Sequence, residues 1–381
     1  MDSISIPTPF YYVDEGLLIK NLEILQSVID RTGCKILLAQ KAFSMFSLYP
    51  LIGKYLHGTT ASGLYEAKLG HEEMGGETHI FSPAYTDADF DEIVKICDYI
   101  VFNSVGQLQK YAGKAISAGR EVGLRINPEH STQGHAIYDP CSPGSRLGVT
   151  KANFRPDLMG GVSGIHFHTL CEQNADALVS TVRAVEEGFG QWLHNMKWLN
   201  IGGGHHITRK DYDIDALVSC VNHLQEKYKV TVYIEPGEAV VLNTGFLVSS
   251  VIDIVKNDVE IAILDTSAAC HMPDVLEMPY QPEIIGATKI ESGLKTANPT
   301  RYHYRLAGPT CLAGDIIGDY YFDAPLQWGD RIKFCDMAHY SMVKNNTFNG
   351  TPLPSICIKR ESGEYNVVRK FGYEDFKGRL S

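Results

Sequence analysis

Four stretches of this chain carry residue types at spacings that could do chemistry, and the first centres on a lysine. Lys41 follows the apolar core of Lys35-Ile-Leu-Leu-Ala-Gln-Lys-Ala-Phe43, so a buried-looking segment ends on a charge. A run of this kind reads as a covered strand, and strand carboxyl ends are where α/β barrels and open α/β sheets keep their reactive groups. There a lysine is a candidate nucleophilic amine. Desolvation lowers its proton affinity and frees the lone pair to condense with an aldehyde. A lone lysine at a strand end more often snorkels into solvent, so Lys41 gains weight only from its company.

That company comes from three later segments. Gly164-Ile-His-Phe-His168 places His166 and His168 on one face of a strand. Such a pair binds zinc or iron in barrel hydrolases, packs as ordinary half-buried histidine, or lays one flat ring against a planar cofactor. Asn200-Ile-Gly-Gly-Gly-His-His206 follows another strand. Its glycines Gly202, Gly203 and Gly204 make either a plain turn or a cup of N–H groups for a phosphate. In Tyr233-Ile-Glu-Pro-Gly-Glu-Ala239, Glu235 can cap a helix, stay solvated, or keep a pyridinium nitrogen protonated. A strand-end lysine, an inward histidine, a glycine cup and a strand-end glutamate together suit pyridoxal 5′-phosphate better than a metal ion, and no metal is expected.

The elements that must position these residues are regular. After a short strand at Pro9–Val13 and a helix over 14–30, strand-like segments end near Lys41, Ala61, Pro83, Ser104, Pro128, His168, Gly202 and Pro236. Amphipathic helices fill most gaps, for example the face of Leu178, Val182, Val185, Phe189 and Leu193. Eight strand ends predict an α/β fold with a closed (β/α)8, TIM-like barrel over residues 14–244. The Gly- and Pro-rich stretch 129–161, with Arg146, reads as a loop over the barrel mouth. Beyond Gly245 the pattern turns β-rich. Residues 245–381 therefore read as a C-terminal β-domain, completed by the N-terminal strand in residues 1–13.

Composition fits an enzyme acting on a small molecule. The 381 residues are 44% hydrophobic and 21% charged, enough for one large domain and a smaller one. A formal charge of −11 argues against nucleic acid and favours a cationic substrate. No apolar run reaches membrane length, and the opening Met1-Asp-Ser-Ile-Ser-Ile-Pro7 lacks the layout of a secretory leader. Nine cysteines without a Cys-x-x-Cys pair fit reduced thiols, so the expected location is the cytoplasm.

These segments resemble the barrel-type pyridoxal-phosphate decarboxylases related to alanine racemase, the family that includes ornithine and diaminopimelate decarboxylases. The resemblance covers nearly the whole chain and extends to Gly308-Pro-Thr-Cys-Leu-Ala-Gly-Asp315 and to Ala338-His-Tyr340 followed by Thr347-Phe-Asn-Gly350. Within the family, Gly202-Gly-Gly-His-His-Ile-Thr208, Glu235-Pro-Gly-Glu-Ala-Val240 and His271-Met-Pro-Asp274 are similar to the carboxynorspermidine/carboxyspermidine decarboxylases of polyamine biosynthesis. The resemblance implies that Lys41 holds the cofactor covalently, His168 stacks on its ring and Glu235 pairs with the ring nitrogen. It also implies that Gly202, Gly203, Gly204 and Tyr340 bind phosphate. Cys311, a proton donor, and Asp315 would reach in from a partner subunit, making a homodimer with shared sites.

One departure bears on the substrate. Ornithine-type members have a phosphate-binding arginine where this chain has Glu238. Phosphate would repel a carboxylate, so Glu238 is expected to face a substrate ammonium, with Asp274 and Asp315 as further acceptors along a polyamine tail. Diaminopimelate or another basic amino acid is the alternative substrate. A metal-dependent barrel hydrolase using His166, His168, His205 and His206 is a remoter alternative, and a cofactor carrier without turnover another.

Overall fold

The computed structural model describes residues 5–134, 136–290 and 300–381. Residues 1–4 of the predicted 1–13 segment, His135 of the 129–161 loop and residues 291–299 lie outside the described residues. The chain forms two compact units, Lys20–Val240 and the combination of Met1–Ile19 with Val241–Ser381. Strand β1 (Phe10–Asp14) belongs to the second.

The first unit is a closed barrel of β2 (Lys35–Ala39), β3 (Gly58–Ala61), β4 (Glu77–Phe81), β5 (Tyr99–Phe102), β6 (Glu121–Arg125), β7 (Gly164–His166), β8 (Trp198–Asn200) and β9 (Thr231–Ile234). All neighbours are parallel, and β9 returns to β2 through Lys35 opposite Tyr233 and Ile36 opposite Ile234. Several strands stop about two residues before the ends read from sequence. β2 ends at Ala39, yet Ala42 and Phe43 beyond it are buried, so apolar patterning outlasts the hydrogen-bond ladder and Lys41 stands in the following turn.

Helices between the strands start where side chains satisfy the orphan amides of the first turn. Asn174 caps Ala175–Leu193 by accepting from the Ala175 N–H at 2.7 Å, and Leu178, Val182, Val185, Phe189 and Leu193 are buried along that helix. Asp213 caps Ile214–Tyr228 by accepting from the Ala216 N–H at 2.9 Å. Burying each such apolar side chain stabilises the barrel by about 1.5–3 kcal/mol.

A plug of large rings fills part of the barrel interior. Leu37, Val101, Trp198 and Tyr233 form one buried cluster. Glycine at 123 and 164 makes room for the indole, since a Cβ on Gly164 would lie 2.0 Å from Trp198 Cδ2 and one on Gly123 2.3 Å from its Cη2. The indole N–H donates to Ser163 Oγ at 3.1 Å, and the Tyr233 hydroxyl donates to that of Tyr99 at 3.0 Å.

The second unit is a mixed nine-stranded sheet. Its strands are β1 with β10 (Gly245–Asn257), β11 (Val259–Leu264), β12 (Ala287–Lys289), β13 (Tyr302–Ala307), β14 (Ile316–Phe322), β15 (Arg331–Cys335), β16 (Ser355–Lys359) and β17 (Tyr365–Arg369). β1 lies between β10, antiparallel, and β16, parallel, so the N-terminal strand completes this sheet. The long β10 pairs β1 and β15 early and β11 late, with a register shift between Val251 and Asp253 that bends it from one set of partners to the other. Tyr11, Leu247, Leu264, Leu306, Tyr320 and Phe334 lie in its main core.

Candidate active site

The carboxyl ends of the barrel strands converge on one group of polar side chains. Lys41 follows β2, Arg125 ends β6, His166 ends β7, Asn200 ends β8 and Glu235 follows β9. This is the rim where barrels of this type carry their chemistry.

The turn that presents Lys41 is fixed from behind. Gln40 is fully buried; its side-chain amide donates to Glu66 O at 2.7 Å and accepts from the Tyr49 hydroxyl at 3.0 Å. Lys41 itself is exposed by area, yet protein surrounds it closely enough that burial is the largest influence on its amine. Both hold for a side chain lining a concave mouth. Burial first, and the Arg125 charge second, lower its pKa, while Glu235, Cys171 and Glu66 oppose them more weakly.

Glu235 is the buried anion of the site. Its Oε1 accepts from Asn200 Nδ2 at 2.7 Å, and its Oε2 lies 3.3 Å from His166 Nε2. Burial would raise its pKa, but His166 and Asn200 outweigh that and take it down to about 2. Burial lowers the pKa of His166, against the charge and hydrogen bond of Glu235, which raise it. The balancing cation is Arg125, 4% exposed, whose pKa burial pushes down to about 10 against the pull of Glu235. Its guanidinium donates to His168 O at 2.9 Å and lies 4.5 Å from the centre of the Phe81 ring.

His168 is oriented by the glycine run. The Gly203 N–H donates to its Nδ1 at 2.8 Å, which puts the ring proton of the neutral form on Nε2. Burial, then the Lys41 and Arg125 charges, hold its pKa well below 6.5. The run has no room for side chains. A Cβ on Gly203 would come 2.3 Å from Glu235 O, and one on Gly204, at φ +81°, 2.0 Å from Leu170 O. Gly202 donates its N–H to Asn200 Oδ1 at 2.8 Å. Two of the three amides read as a phosphate cup are thus directed at protein acceptors, while Gly204 has no recorded N–H partner among the described residues.

Of the remaining predicted residues, Glu238 lies in this unit, with Oε1 3.2 Å from His206 Nε2. Asp274, Cys311, Asp315 and Tyr340 lie in the sheet unit. Cys311 is exposed, and its N–H donates to Asn349 Oδ1 at 2.8 Å. Tyr340, at φ 54° and ψ −41°, is the centre of a tight turn in which the Ser341 N–H donates to His339 O at 2.5 Å. That conformation is rare and strained, a feature that concentrates at functional positions. Asp274 is ion-paired with Lys344.

Asp315 is 2% exposed, and its carboxylate accepts from Ser267 Oγ at 2.8 Å, Thr310 Oγ1 at 2.6 Å and the Ala269 N–H at 3.3 Å. Within its unit these bonds anchor the loop that carries Cys311. The four histidines of the hydrolase alternative disperse. His166 meets Glu235, His168 meets Gly203, His205 Nε2 lies 3.4 Å from Ile201 O, and His206 meets Glu238. Sequence reasoning missed Arg125, Gln40 and Asn200. Arg125 had left the same mark as Lys41, a charge closing the apolar strand Glu121–Arg125.

The donor set suits an aldehyde cofactor with a ring nitrogen and a phosphate: a crowded amine of lowered pKa, a buried carboxylate, a neutral imidazole and a loop of close-approach glycines. Comparison with known proteins agrees. Residues 10–338 match a family profile described as "Pyridoxal-dependent decarboxylase, C-terminal sheet domain". A carboxynorspermidine/carboxyspermidine decarboxylase of Campylobacter jejuni is 44% identical over 375 residues, 97% of this chain and 98% of that protein. A carboxyaminopropylagmatine decarboxylase of Synechocystis is 42% identical over 378 residues, 99% of this chain and 96% of that protein. The crystal structure of the Campylobacter jejuni carboxynorspermidine decarboxylase complexed with norspermidine superposes with a TM-score of 0.92 at 43% identity, covering 98% of this chain and all of that one.

Proposed function

Because the chain belongs to the pyridoxal-dependent decarboxylase family, we propose that it removes the carboxylate of carboxynorspermidine or carboxyspermidine as carbon dioxide and releases norspermidine or spermidine. The single observation that carries the chemistry is a lysine of lowered proton affinity and a glutamate held ionised, which follow the paired strands β2 and β9 at the same end of the barrel. The polyamine substrate is supported by the full-length Campylobacter jejuni relative, by the structure of a carboxynorspermidine decarboxylase with norspermidine, and by Glu238 in place of the phosphate-binding arginine of ornithine-type members.

When bound, pyridoxal phosphate supplies an aldehyde carbon for the amine and a ring that takes up the electron pair left by departing carbon dioxide. Lys41 Nζ would be the amine that holds that aldehyde. Glu235, kept anionic by Asn200 and His166, holds a proton on the ring nitrogen. His168 lays its ring against the cofactor, steadied by Gly203. Phosphate goes to the glycine run, chiefly the Gly204 amide, and to Tyr340. Glu238 takes a substrate ammonium, with Asp274 as a second acceptor if Lys344 yields it. Cys311 returns a proton to the α-carbon, from the partner subunit of a homodimer with shared sites. We assign the cofactor-binding domain to residues 14–244, the β-domain to 1–13 with 245–381, and the protein to the cytoplasm, on its nine free thiols.

The test is carbon dioxide release from carboxynorspermidine, carboxyspermidine, carboxyaminopropylagmatine, diaminopimelate and ornithine, with borohydride trapping in parallel. Wild type should favour the first two and carry a reduced adduct on Lys41, and Lys41→Ala should lose both activities. Preference for carboxyaminopropylagmatine would move the assignment to a guanidinium tail. An active Lys41→Ala protein without adduct would end it.

A further inference from the structure

The segments after β7, β8 and β9 assemble a second polar group that the roles above leave mostly unused. Glu172, His206 and Glu238 each present a ligand atom, all within 4.8 Å of one another. His206 is 7% exposed, and neither ring nitrogen has a hydrogen-bond partner among the described residues, although Nε2 lies 3.2 Å from Glu238 Oε1. A buried imidazole left this way costs free energy unless something else meets it.

The backbone holds the three in register. The Gln173 N–H donates to Gly204 O at 3.0 Å and the His206 N–H donates to Gln173 O at 3.2 Å, a bridge that ties the two loops. The Gln173 side chain is in turn clamped to Thr132, donating to its carbonyl and accepting from its hydroxyl. Glu172, just before this bridge, has φ 53°, a left-handed conformation that non-glycine residues adopt only where surroundings enforce it. Burial, then Glu172 and Glu238, push the neighbouring Cys171 thiol up to about 11, while Lys41 pulls it down.

We propose that Glu172, His206 and Glu238 form one receptor for an ammonium group of the substrate tail, with Glu172 and His206 as specificity-determining residues; this rests on the polyamine reading above. An ammonium has three N–H donors and no acceptor, and the cluster offers three ligand atoms, two carboxylate oxygens and one imidazole nitrogen. Charge-assisted bonds of about 2.8 Å from one nitrogen reach acceptors up to about 4–5 Å apart, and the three ligand atoms lie within 4.8 Å of one another. Two carboxylates held close also repel, and a shared cation relieves that.

The test titrates norspermidine into wild-type, Glu172→Gln and His206→Gln holoenzymes by calorimetry. It also measures kcat and KM for carboxynorspermidine, thermal unfolding, and bound metal by elemental analysis. Norspermidine Kd and carboxynorspermidine KM should each rise about tenfold in either variant, kcat should fall less, and melting and the borohydride adduct should match wild type. An unchanged norspermidine Kd in both variants would overturn the proposal. So would a stoichiometric divalent metal that is lost in Glu172→Gln, since one imidazole and two carboxylates also suit such an ion. A wild type that decarboxylates no polyamine acid would defeat the functional reading, while the norspermidine titration would still decide what the cluster binds.

Discussion

Replacing Glu235 by glutamine removes one charge from the barrel mouth and almost nothing else. The Asn200 amide donates to Oε1 at 2.7 Å, and a glutamine carbonyl keeps that bond. His166, whose Nε2 lies 3.3 Å from Oε2, can face an amide NH2 by moving its proton to Nδ1, which has no partner among the described residues. Shape survives, so the loss is electrostatic. The fall of the Glu235 pKa from 4.5 to about 2 corresponds to at most about 3 kcal/mol of stability at pH 7. A folded-state value below the unfolded one means that this contribution is complete above about pH 4.5 and fades as pH falls towards about 2. Urea unfolding of cofactor-loaded proteins should show Glu235→Gln less stable at pH 7, by a margin that shrinks at pH 3. Losing a charge-assisted partner of about 1.5–3 kcal/mol should lower kcat by roughly 10- to 100-fold. A stability deficit identical at the two pH values, or a kcat within threefold of wild type, would refute the reasoning.

Two further outcomes are expected. If Cys311 acts across a dimer, mixing inactive Lys41→Ala and Cys311→Ala chains should restore about a quarter of the wild-type sites, because half the randomly paired dimers carry one intact set; no recovery after verified subunit exchange would exclude shared sites. Gly164→Ala drives a methyl to 2.0 Å from Trp198 Cδ2 and should lower unfolding stability by about 1–3 kcal/mol. Adding Trp198→Phe should give a double variant more stable than the two single losses predict, and strict additivity in urea melts would show that the indole is not the obstacle.

The barrel was legible because several strands, such as β2 and β5, are apolar runs with a turn behind them, and long helices such as Ala175–Leu193 repeat their buried positions at helical spacing. Sheet strands β12, β14, β16 and β17 were not read. In β14 Gly318 and Asp319 interrupt the alternation, and only pairing with β13, with Arg305 opposite Asp319, makes that stretch a strand. Lys41, His168 and Glu235 stood out as polar groups where apolar runs end. Asp315 entered only through the family resemblance; Thr310 is a local donor to it, but Ser267 and Ala269 lie more than forty residues away, and local sequence carries no trace of them. Arg125 was legible by the rule that found Lys41 and was passed over. The internal acceptors of Gly202 and Gly203 were not legible, since a glycine run reads alike whether its amides face a ligand or a neighbouring side chain.

The ring plug of Trp198 and Tyr233 settles the traffic of small molecules. A barrel stopped by packed aromatics is a cup with one lip, not a conduit. Whatever enters must back out by the same door, and a released polyamine stands in the path of the next molecule arriving. Accumulating product therefore throttles its own synthesis by simple occupancy.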